Sequence, residues 1–250
     1  MADVTLRSSA SNNGTTSPAT PSSITAQAGN LLIATYALIG TSPTVGAPAG
    51  GWTNIQAVSG ASVTLSVFML PNNTGGAFNP SSTLGGTVTG WIASIYEFSQ
   101  TGANCQLQGS AQASAATQQL TNIFSGQGQM IPNLLFIYTV ARATASIIAQ
   151  NTGLTFVRPD GLAPGASGWS GSIQGANGVQ GLSYDFFWGS NLAQGTGPFP
   201  SASGFISVAE VWKQVGAWFN TTATQPSVSD NIGGNSGIYV PPFYQGMIGG

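Results

Sequence analysis

The longest apolar run of the chain is Leu31-Leu32-Ile33-Ala34-Thr35-Tyr36-Ala37-Leu38-Ile39-Gly40. A helix needs about twenty apolar residues to cross a bilayer, so this run is too short to span one. Short apolar runs bounded by turn residues are typical of buried strands. We therefore predict a buried β-strand here and expect no insertion into a membrane.

The beginning of this run is repeated in the second half of the chain, where Asn30-Leu31-Leu32-Ile33 returns as Asn133-Leu134-Leu135-Phe136. Further landmarks keep the same order: Val4–Ala10 and Cys105–Ala111, Gly51-Trp52-Thr53 and Gly153-Leu154-Thr155, Leu65-Ser66 and Leu182-Ser183, Gly90-Trp91-Ile92 and Gly204-Phe205-Ile206. The sequence therefore predicts two diverged copies of one unit, at residues 4–99 and 105–213. The second copy carries an insertion, which we place at Asp160–Gly181.

The fold class predicted from the pattern is all-β. The chain contains 35 glycines and 14 prolines, and no segment keeps a helical period over three turns. The predicted strands, rich in β-branched and aromatic residues, are in chain order Val4–Ser9, Asn30–Leu38, Trp52–Val58, Ser62–Leu70, Thr87–Phe98, Cys105–Ser110, Asn133–Val140, Leu154–Arg158, Gly181–Trp188 and Gly204–Trp212. Ala111–Leu120 is predicted to be a loop because it aligns with Ser11–Thr20.

Several short strands in each copy indicate two tandem β-sandwiches of the immunoglobulin-like or jelly-roll type. The predicted domains are a first sandwich at residues 1–102, a second sandwich with longer loops at 103–218, and an extended C-terminal arm at 219–250. Each sandwich is long enough to have a core of its own. The predicted core aromatic residues are Trp52, Phe68, Trp91 and Tyr96 in the first sandwich and Phe156, Phe186, Phe205 and Trp212 in the second.

The predicted arm combines aromatic residues with two adjacent prolines. Its apolar part, Ile238-Tyr239-Val240-Pro241-Pro242-Phe243-Tyr244, follows a polar, Gly-rich stretch. The prolines disfavour a central strand and favour an extended course. Because exposed aromatic side chains are costly in water, we expect this arm to dock, either on its own second domain or on a partner. The residues expected to make that contact are Tyr239, Val240, Phe243 and Tyr244.

The composition excludes several classes of function. Charged residues make up 4% of the chain, against about a quarter in ordinary globular proteins. The basic residues Arg7, Arg142, Arg158 and Lys213 are scattered, whereas binding to a nucleic-acid backbone needs clustered ones. We therefore expect no nucleic-acid partner.

The catalytic residue types are also scarce. The chain contains no histidine, which excludes Ser-His-Asp and Cys-His catalysis within one chain. Its single cysteine, Cys105, excludes an intrachain disulfide and a zinc ribbon. We interpret Cys105 as a small buried residue, because it lies in an apolar-alternating run.

Two glutamates, Glu97 and Glu210, fall at nearly equivalent positions in the two copies. Paired carboxylates are the minimum apparatus of a glycosidase, but equivalent residues of tandem sandwiches lie one per domain. We interpret them as strand-end carboxylates that accept backbone hydrogen bonds or pair with an arginine. Asp160 and Asp185 lack partners at metal-ligand spacing. We therefore expect that the chain is not an enzyme. We expect no catalytic residue, no cofactor and no metal site in it.

Four segments of the first copy resemble a β-sandwich unit common in structural proteins of tailed bacteriophages: Val4–Ser9, Gly29–Ala34, Gly51–Thr53 and Trp91–Ser99. The sequence departs from that family's pattern in two places. The family has an aspartate where Asn30 and Asn133 stand, and the second copy lacks the tryptophan of the Gly-Trp-Thr step. The resemblance implies a virion component, such as a head-decoration protein or a tail-appendage subunit.

The expected function is that of a non-enzymatic virion structural protein that docks on the phage capsid or tail surface. Its expected partners are the major capsid or tail protein and copies of itself. Met1-Ala2-Asp3 is followed by polar sequence instead of a secretory signal, so we expect synthesis in the host cytoplasm and a location in the virion. The alternative is a receptor- or carbohydrate-binding module of a tail fibre or other appendage, in which Trp169 and Phe199 contact a host glycan.

Overall fold

The computed structural model describes residues 4–99, 105–115, 134–143, 148–150, 182–190, 202–204 and 212–220. Within these ranges every regular element is a β-strand, which confirms the all-β prediction. The strands are β1 (Thr5–Gly14), β2 (Ile24–Ala26), β3 (Leu31–Val45), β4 (Thr53–Ser59), β5 (Val63–Leu70), β6 (Gly76–Phe78), β7 (Leu84–Ser99), β8 (Gln106–Ala115), β9 (Leu134–Arg142), β10 (Ile148–Gln150), β11 (Ser183–Ser190), β12 (Ala202–Gly204) and β13 (Trp212–Asn220).

The first half of the chain forms a five-stranded antiparallel sheet, the first sheet, in the order β1-β7-β3-β5-β4. The long apolar run begins β3, which lies in the middle of this sheet and pairs with β7 on one side and β5 on the other. Residues Leu31 to Leu38 are all buried. Strands covered on both faces carry continuous apolar runs in place of alternation. The prediction of a buried strand in this run is therefore confirmed.

The second half forms a four-stranded antiparallel sheet, the second sheet, in the order β11-β9-β13-β8. Read from the other edge, this order is β8-β13-β9-β11. It has the same topology as β1-β7-β3-β5 of the first sheet, with β8 equivalent to β1, β13 to β7, β9 to β3 and β11 to β5. The two halves also share a bulge. Arg7 is the extra residue between the pairs Leu6–Phe98 and Ser8–Glu97, and Gln108 is the extra residue between Leu107–Phe219 and Gly109–Trp218.

This register corrects the alignment of the two halves at several landmarks. Leu31 corresponds to Leu135 and not to Leu134, and Leu65 corresponds to Tyr184 and not to Leu182. Trp91 pairs with Gly14 as Trp212 pairs with Ala115, so Trp212, and not Phe205, corresponds to Trp91. In the same way Trp218, and not Glu210, corresponds to Glu97. Backbone pairing fixes register in a way that a short Gly-aromatic-Ile motif does not. The equivalence of the two glutamates was therefore wrong.

Two of the predicted element assignments are wrong as well. Gly204 ends β12, which pairs with β10, and Trp212 begins β13, so Gly204–Trp212 is not one sheet strand. Residues 111–115 continue β8 and pair with β13, although their small side chains predicted a loop. Residues 116–120 and the predicted strand Leu154–Arg158 lie outside the described ranges.

The two sheets pack face to face around one hydrophobic cluster, which we call the shared core. Ile33 and Val67 of the first sheet belong to it together with Ile137 and Phe186 of the second. Each sheet has an apolar inner face that needs a cover, and the other sheet supplies it. The described sheets therefore form one sandwich between them. The finer prediction of two tandem sandwiches, each with its own core, is not confirmed.

The outer face of the first sheet is also buried. Ile24 and Ala26 of β2, which pairs with β6, cover Leu32 and Ala34 of β3 in a second hydrophobic cluster. The Tyr36 hydroxyl reaches across this layer and donates to the Pro80 carbonyl at 2.7 Å. The first sheet is thus the middle layer of three, which fixes the side chains on both of its faces.

Candidate functional site

The residues that the sequence predicts to contact partners lie outside the described ranges. They are Tyr239, Val240, Phe243 and Tyr244 of the arm, and Trp169 and Phe199 of the second-copy loops. Glu210 also lies outside these ranges. Their roles stay predictions.

The predicted core aromatic residues are confirmed wherever the structure describes their side chains. Trp52, Phe68, Trp91 and Tyr96 are buried in the first half, and Phe186 is buried in the second. Phe156 and Phe205 lie outside the described ranges, as does the side chain of Trp212.

Glu97, a buried residue of β7, is the centre of a polar group that we call the carboxylate cluster: Arg7, Ser8, Gln27, Asn30 and Glu97. One guanidinium nitrogen of Arg7 donates to both carboxylate oxygens, at 2.8 and 3.1 Å. Ser8 Oγ donates to Oε2 at 2.7 Å. Asn30 Nδ2 and the Gln27 amide donate to Oε1 at 2.7 and 2.8 Å. The β1 bulge supplies Arg7 and Ser8 from adjacent positions, which lets both reach one carboxylate.

The balance of burial and hydrogen bonding sets the protonation of Glu97. Burial raises the pKa of the carboxyl, but the hydrogen bonds from the Gln27 amide, Ser8, Asn30 and Arg7 together outweigh it, so the pKa lies below its usual range. The side chain is fully buried and both of its oxygens are occupied. This confirms the interpretation of Glu97 as a strand-end carboxylate that satisfies backbone and arginine donors.

Asn30 links the carboxylate cluster to the turn after β5. Its carbonyl accepts a hydrogen bond from Asn73 Nδ2 at 2.8 Å, while Asn73 Oδ1 accepts from the Gly75 amide at 2.7 Å. Asn30 therefore needs an amide side chain because it must donate to a carboxylate. An aspartate has no donor to offer at this position when ionised.

A second polar group lies inside the shared core, and we call it the hydroxyl cluster: Thr35, Ser94, Tyr96, Thr139 and Tyr184. The Tyr184 hydroxyl is hydrogen-bonded to Thr35 Oγ1 and, at 2.9 Å, to the Tyr96 hydroxyl. Thr139 and Ser94 are also among the polar neighbours that lower its pKa. Burial raises the pKa of Tyr184 to about 12, although these hydrogen bonds lower it in part. The cluster therefore joins the two sheets as neutral hydroxyls.

Stacked rings extend the hydroxyl cluster into the apolar core. The ring of Tyr96 stacks on Phe186 with centroids 3.8 Å apart and planes within 11° of parallel. Phe98 meets Trp188 edge to face at 5.6 Å. These pairs each connect a strand of the first sheet with β11 of the second.

Polar contacts close one side of the sandwich, between β4 and β8. Gln56 Nε2 donates to Ser110 Oγ at 3.0 Å, and Ser110 Oγ lies 3.4 Å from the Ile55 carbonyl. Beside them Lys213 Nζ donates to Ser114 Oγ at 2.7 Å. A Cβ atom on Gly60 would come within 2.7 Å of that ammonium, so the lysine packs directly against the turn between β4 and β5.

Cys105 is buried in the shared core. Burial raises the pKa of its thiol to about 12, which leaves the thiolate, the reactive form, sparsely populated at neutral pH. The interpretation of Cys105 as a small buried residue is confirmed.

Within the ranges that the structure describes, no group of three or more His, Cys, Asp or Glu residues is positioned to hold a metal ion. The same residues include no helix long and apolar enough to span a bilayer. No protein-family model, no curated protein and no solved structure matches the chain. The class that the geometry defines is therefore an all-β protein of packed antiparallel sheets.

Sequence reasoning named the kind of partner that Glu97 needs but not the residue. One signal pointed to it, since Arg7 is the only basic residue of the first half. The hydroxyl cluster was missed altogether. Its members stand in strands at ordinary positions, and a partner in the other half is visible only once the two sheets are known to face each other.

Proposed function

We propose that this chain is a non-enzymatic structural protein of a tailed-phage virion, which docks on the capsid or tail surface as a decoration or appendage subunit. The observation that carries the proposal is the use of Glu97 in the carboxylate cluster. The described carboxylate that resembled half of a catalytic pair is instead filled by donors from β1 and from the β2–β3 turn. A general base must keep a lone pair for substrate, so this geometry favours a structural role.

The remaining reactive groups in the described ranges support the same proposal. Cys105 lies in the core, and Lys213 donates to Ser114 of its own sheet while it packs against Gly60 of the first half. Charged residues are 4% of the chain, which leaves little electrostatic repulsion between neighbouring copies. A chain of this kind suits dense packing in an ordered assembly, as the resemblance to phage structural units implies.

The proposed docking element is the arm, Ile238–Gly250. The described fold ends at Asn220, which pairs with Gln106 and Leu134 in the second sheet. The arm would then contact the major capsid or tail protein, or a second copy, through Tyr239, Val240, Phe243 and Tyr244.

Deletion of Ile238–Gly250 tests the docking role. We expect the truncated chain to fold with unchanged stability and to be lost from purified particles. The matched control replaces Gln225, Ser227 and Asn231 of the preceding polar stretch with alanine and should be incorporated normally. Normal incorporation of the truncated chain would contradict the role of the arm.

A receptor- or carbohydrate-binding module is the second proposal, supported by the aromatic residues Trp169 and Phe199 in Gly- and Pro-rich stretches of the second half. Aromatic side chains in loops are common sugar contacts because their faces stack on apolar sugar surfaces. A glycan array with the whole chain, compared with Trp169→Ala and Phe199→Ala, tests this directly. Binding that both variants retain, or no binding at all, would contradict the proposal.

A further inference from the structure

The inner faces of the two sheets are built from corresponding residues. When the two halves are aligned on their shared bulge, Phe98 is equivalent to Phe219. The pairing to the next strand then makes Leu31 equivalent to Leu135. In the strand after that, Val67 is equivalent to Phe186. All six residues are buried in the shared core. Each half therefore presents the same face of the same topology to the other.

The contacts between the sheets are also reciprocal. Tyr96 of β7 stacks on Phe186 of β11, and the corresponding strands β13 and β5 are in contact as well. Thr35 of β3 is bonded to Tyr184 of β11, and the corresponding strands β9 and β5 are again in contact. These two strand contacts recur with the roles exchanged, as contacts do in an isologous interface between two identical subunits related by a two-fold axis.

The two sheets are held together in a way that permits exchange. Among the described strands, each sheet takes all of its members from one half of the chain. Between the described strands of the two sheets, the hydrogen bonds each involve a side chain. Re-pairing the sheets between two molecules would therefore break no ladder hydrogen bond between described strands.

The hydroxyl cluster distinguishes one pairing from another. By register, Tyr184 of the second sheet is equivalent to Leu65 of the first sheet. Tyr96 of the first sheet is likewise equivalent to Ala217 of the second. If two first sheets faced each other, Leu65 would stand where Tyr184 stands. The buried hydroxyls of Thr35 and Tyr96 would then lose their partner, which disfavours that pairing.

We propose that the inner face of the first sheet also accepts the second sheet of another copy, so that two chains form a dimer by exchanging their second sheets, with Tyr184 specifying the first-with-second pairing. The partner of this surface is thus a second copy of the chain. The inference extends the self-association named in the proposed function and does not need the virion assignment.

Cross-linking of co-expressed full-length chains tests the exchange. One chain carries Gln56→Cys and the other Ser110→Cys, at two side chains that are hydrogen-bonded across the interface at 3.0 Å. Both chains also carry Cys105→Val, because Val4 occupies the corresponding buried position in the first half. We expect a short bifunctional maleimide to give a covalent heterodimer, since the two thiols meet only when sheets of different chains pack together.

The matched control replaces the second chain with one carrying Ser9→Cys. Ser9 corresponds to Ser110 in the register and is exposed on β1, so this pair reports contact between two first sheets. We expect the heterodimer yield to be several-fold lower than with Ser110→Cys. Equal yields would overturn the specificity, and absence of the Ser110→Cys heterodimer would overturn the exchange. Because no particle is involved, this failure is distinguishable from a failure of docking.

Discussion

The hydroxyl of Tyr184 on β11 lies 2.9 Å from the hydroxyl of Tyr96 on β7, and the two side chains come from opposite halves of the chain. The contact lies inside an otherwise apolar core. Buried hydroxyls are tolerated only where they are hydrogen-bonded. The two sheets therefore fit together in an arrangement that keeps this contact, which makes it a determinant of how the halves align.

Removal of the Tyr184 hydroxyl should weaken the whole sandwich. Tyr184→Phe leaves the ring in place but leaves the buried hydroxyls of Thr35 and Tyr96 without this partner, so we expect a loss of about 1–3 kcal/mol in the free energy of unfolding. Urea unfolding followed by tryptophan fluorescence measures it. A double-mutant cycle with Tyr96→Phe provides the control. Additive effects of the two changes would contradict the direct contact.

The stability of the fold should decrease in acid because of Glu97. The pKa of Glu97 is lowered in the folded protein, whereas in the unfolded chain it is about 4.3. The ionised carboxylate therefore stabilises the fold above that value, and this stabilisation is lost as the pH falls through the lower pKa of the folded state. We expect Glu97→Gln to cost about 2 kcal/mol near neutral pH and progressively less in acid.

Unfolding in urea across a pH series checks this prediction. Ser8→Ala is the companion variant, because it keeps the carboxylate and removes one donor at 2.7 Å. The pKa of Glu97 should be less depressed in this variant, so its acid-induced loss of stability should be smaller and should be complete at a higher pH. Parallel pH profiles for the wild type and Glu97→Gln would contradict the assigned role of Glu97.

The parts of the fold that follow from local sequence were predictable. The apolar run that begins with Leu31 is buried because its strand lies between two layers, and its composition already indicates this. Glu97 was predicted to accept backbone hydrogen bonds or to pair with an arginine, because an isolated carboxylate at a strand end needs donors. The first prediction depends on neighbouring residues of one strand. The second depends on the arginines, of which the chain has few.

The shared core was not predictable in the same way. The inner face of a sheet could be covered by its own half of the chain or by the other half. The outcome depends on contacts between residues that are far apart in sequence, such as those of Ile33 with the second sheet. The alignment near Trp212 failed for a related reason. Backbone pairing, and not a local motif, sets the register, and the small residues of Ala111–Ala115 gave no strand signal although they pair with β13.

Asn30 should not tolerate an acid. In Asn30→Asp a carboxylate oxygen replaces the amide nitrogen that lies 2.7 Å from Glu97 Oε1, and two like charges at that distance raise the pKa of one of them. We expect a loss of at least about 2 kcal/mol at neutral pH, partly recovered as the pH falls through the raised pKa. Asn79→Asp, the same change at an exposed position, should have little effect. Equal costs at the two sites would contradict the prediction.

The thiol of Cys105 should report on unfolding. It is buried and its pKa is raised to about 12, so both access and thiolate population are low in the folded protein. We expect labelling by a chromogenic disulfide reagent to be slow in buffer and fast in urea above the unfolding midpoint. An engineered exposed thiol, Thr5→Cys, provides the control for reagent activity. Rapid labelling of Cys105 in buffer would contradict its placement in the core.

Gly109 should be intolerant of any side chain. A Cβ atom there would overlap the ring of Trp218, whose side chain is buried. The corresponding pair in the first half is Ser8 and Glu97, where a small side chain is useful because it donates to the carboxylate. We therefore expect Gly109→Ala to cost about 1–3 kcal/mol through overpacking, measured by thermal and urea unfolding.

If the Trp218 ring causes the destabilisation by Gly109→Ala, the size of that destabilisation should depend on the ring. Trp218→Leu alone should destabilise the protein by leaving a cavity. In that background Gly109→Ala should cost much less than it does alone, because the methyl group then occupies space that the ring has left. The coupling between the two changes should therefore be favourable and well above the additivity error of about 0.5 kcal/mol. An equal cost in both backgrounds would show that the backbone at Gly109, and not the packing against Trp218, requires glycine.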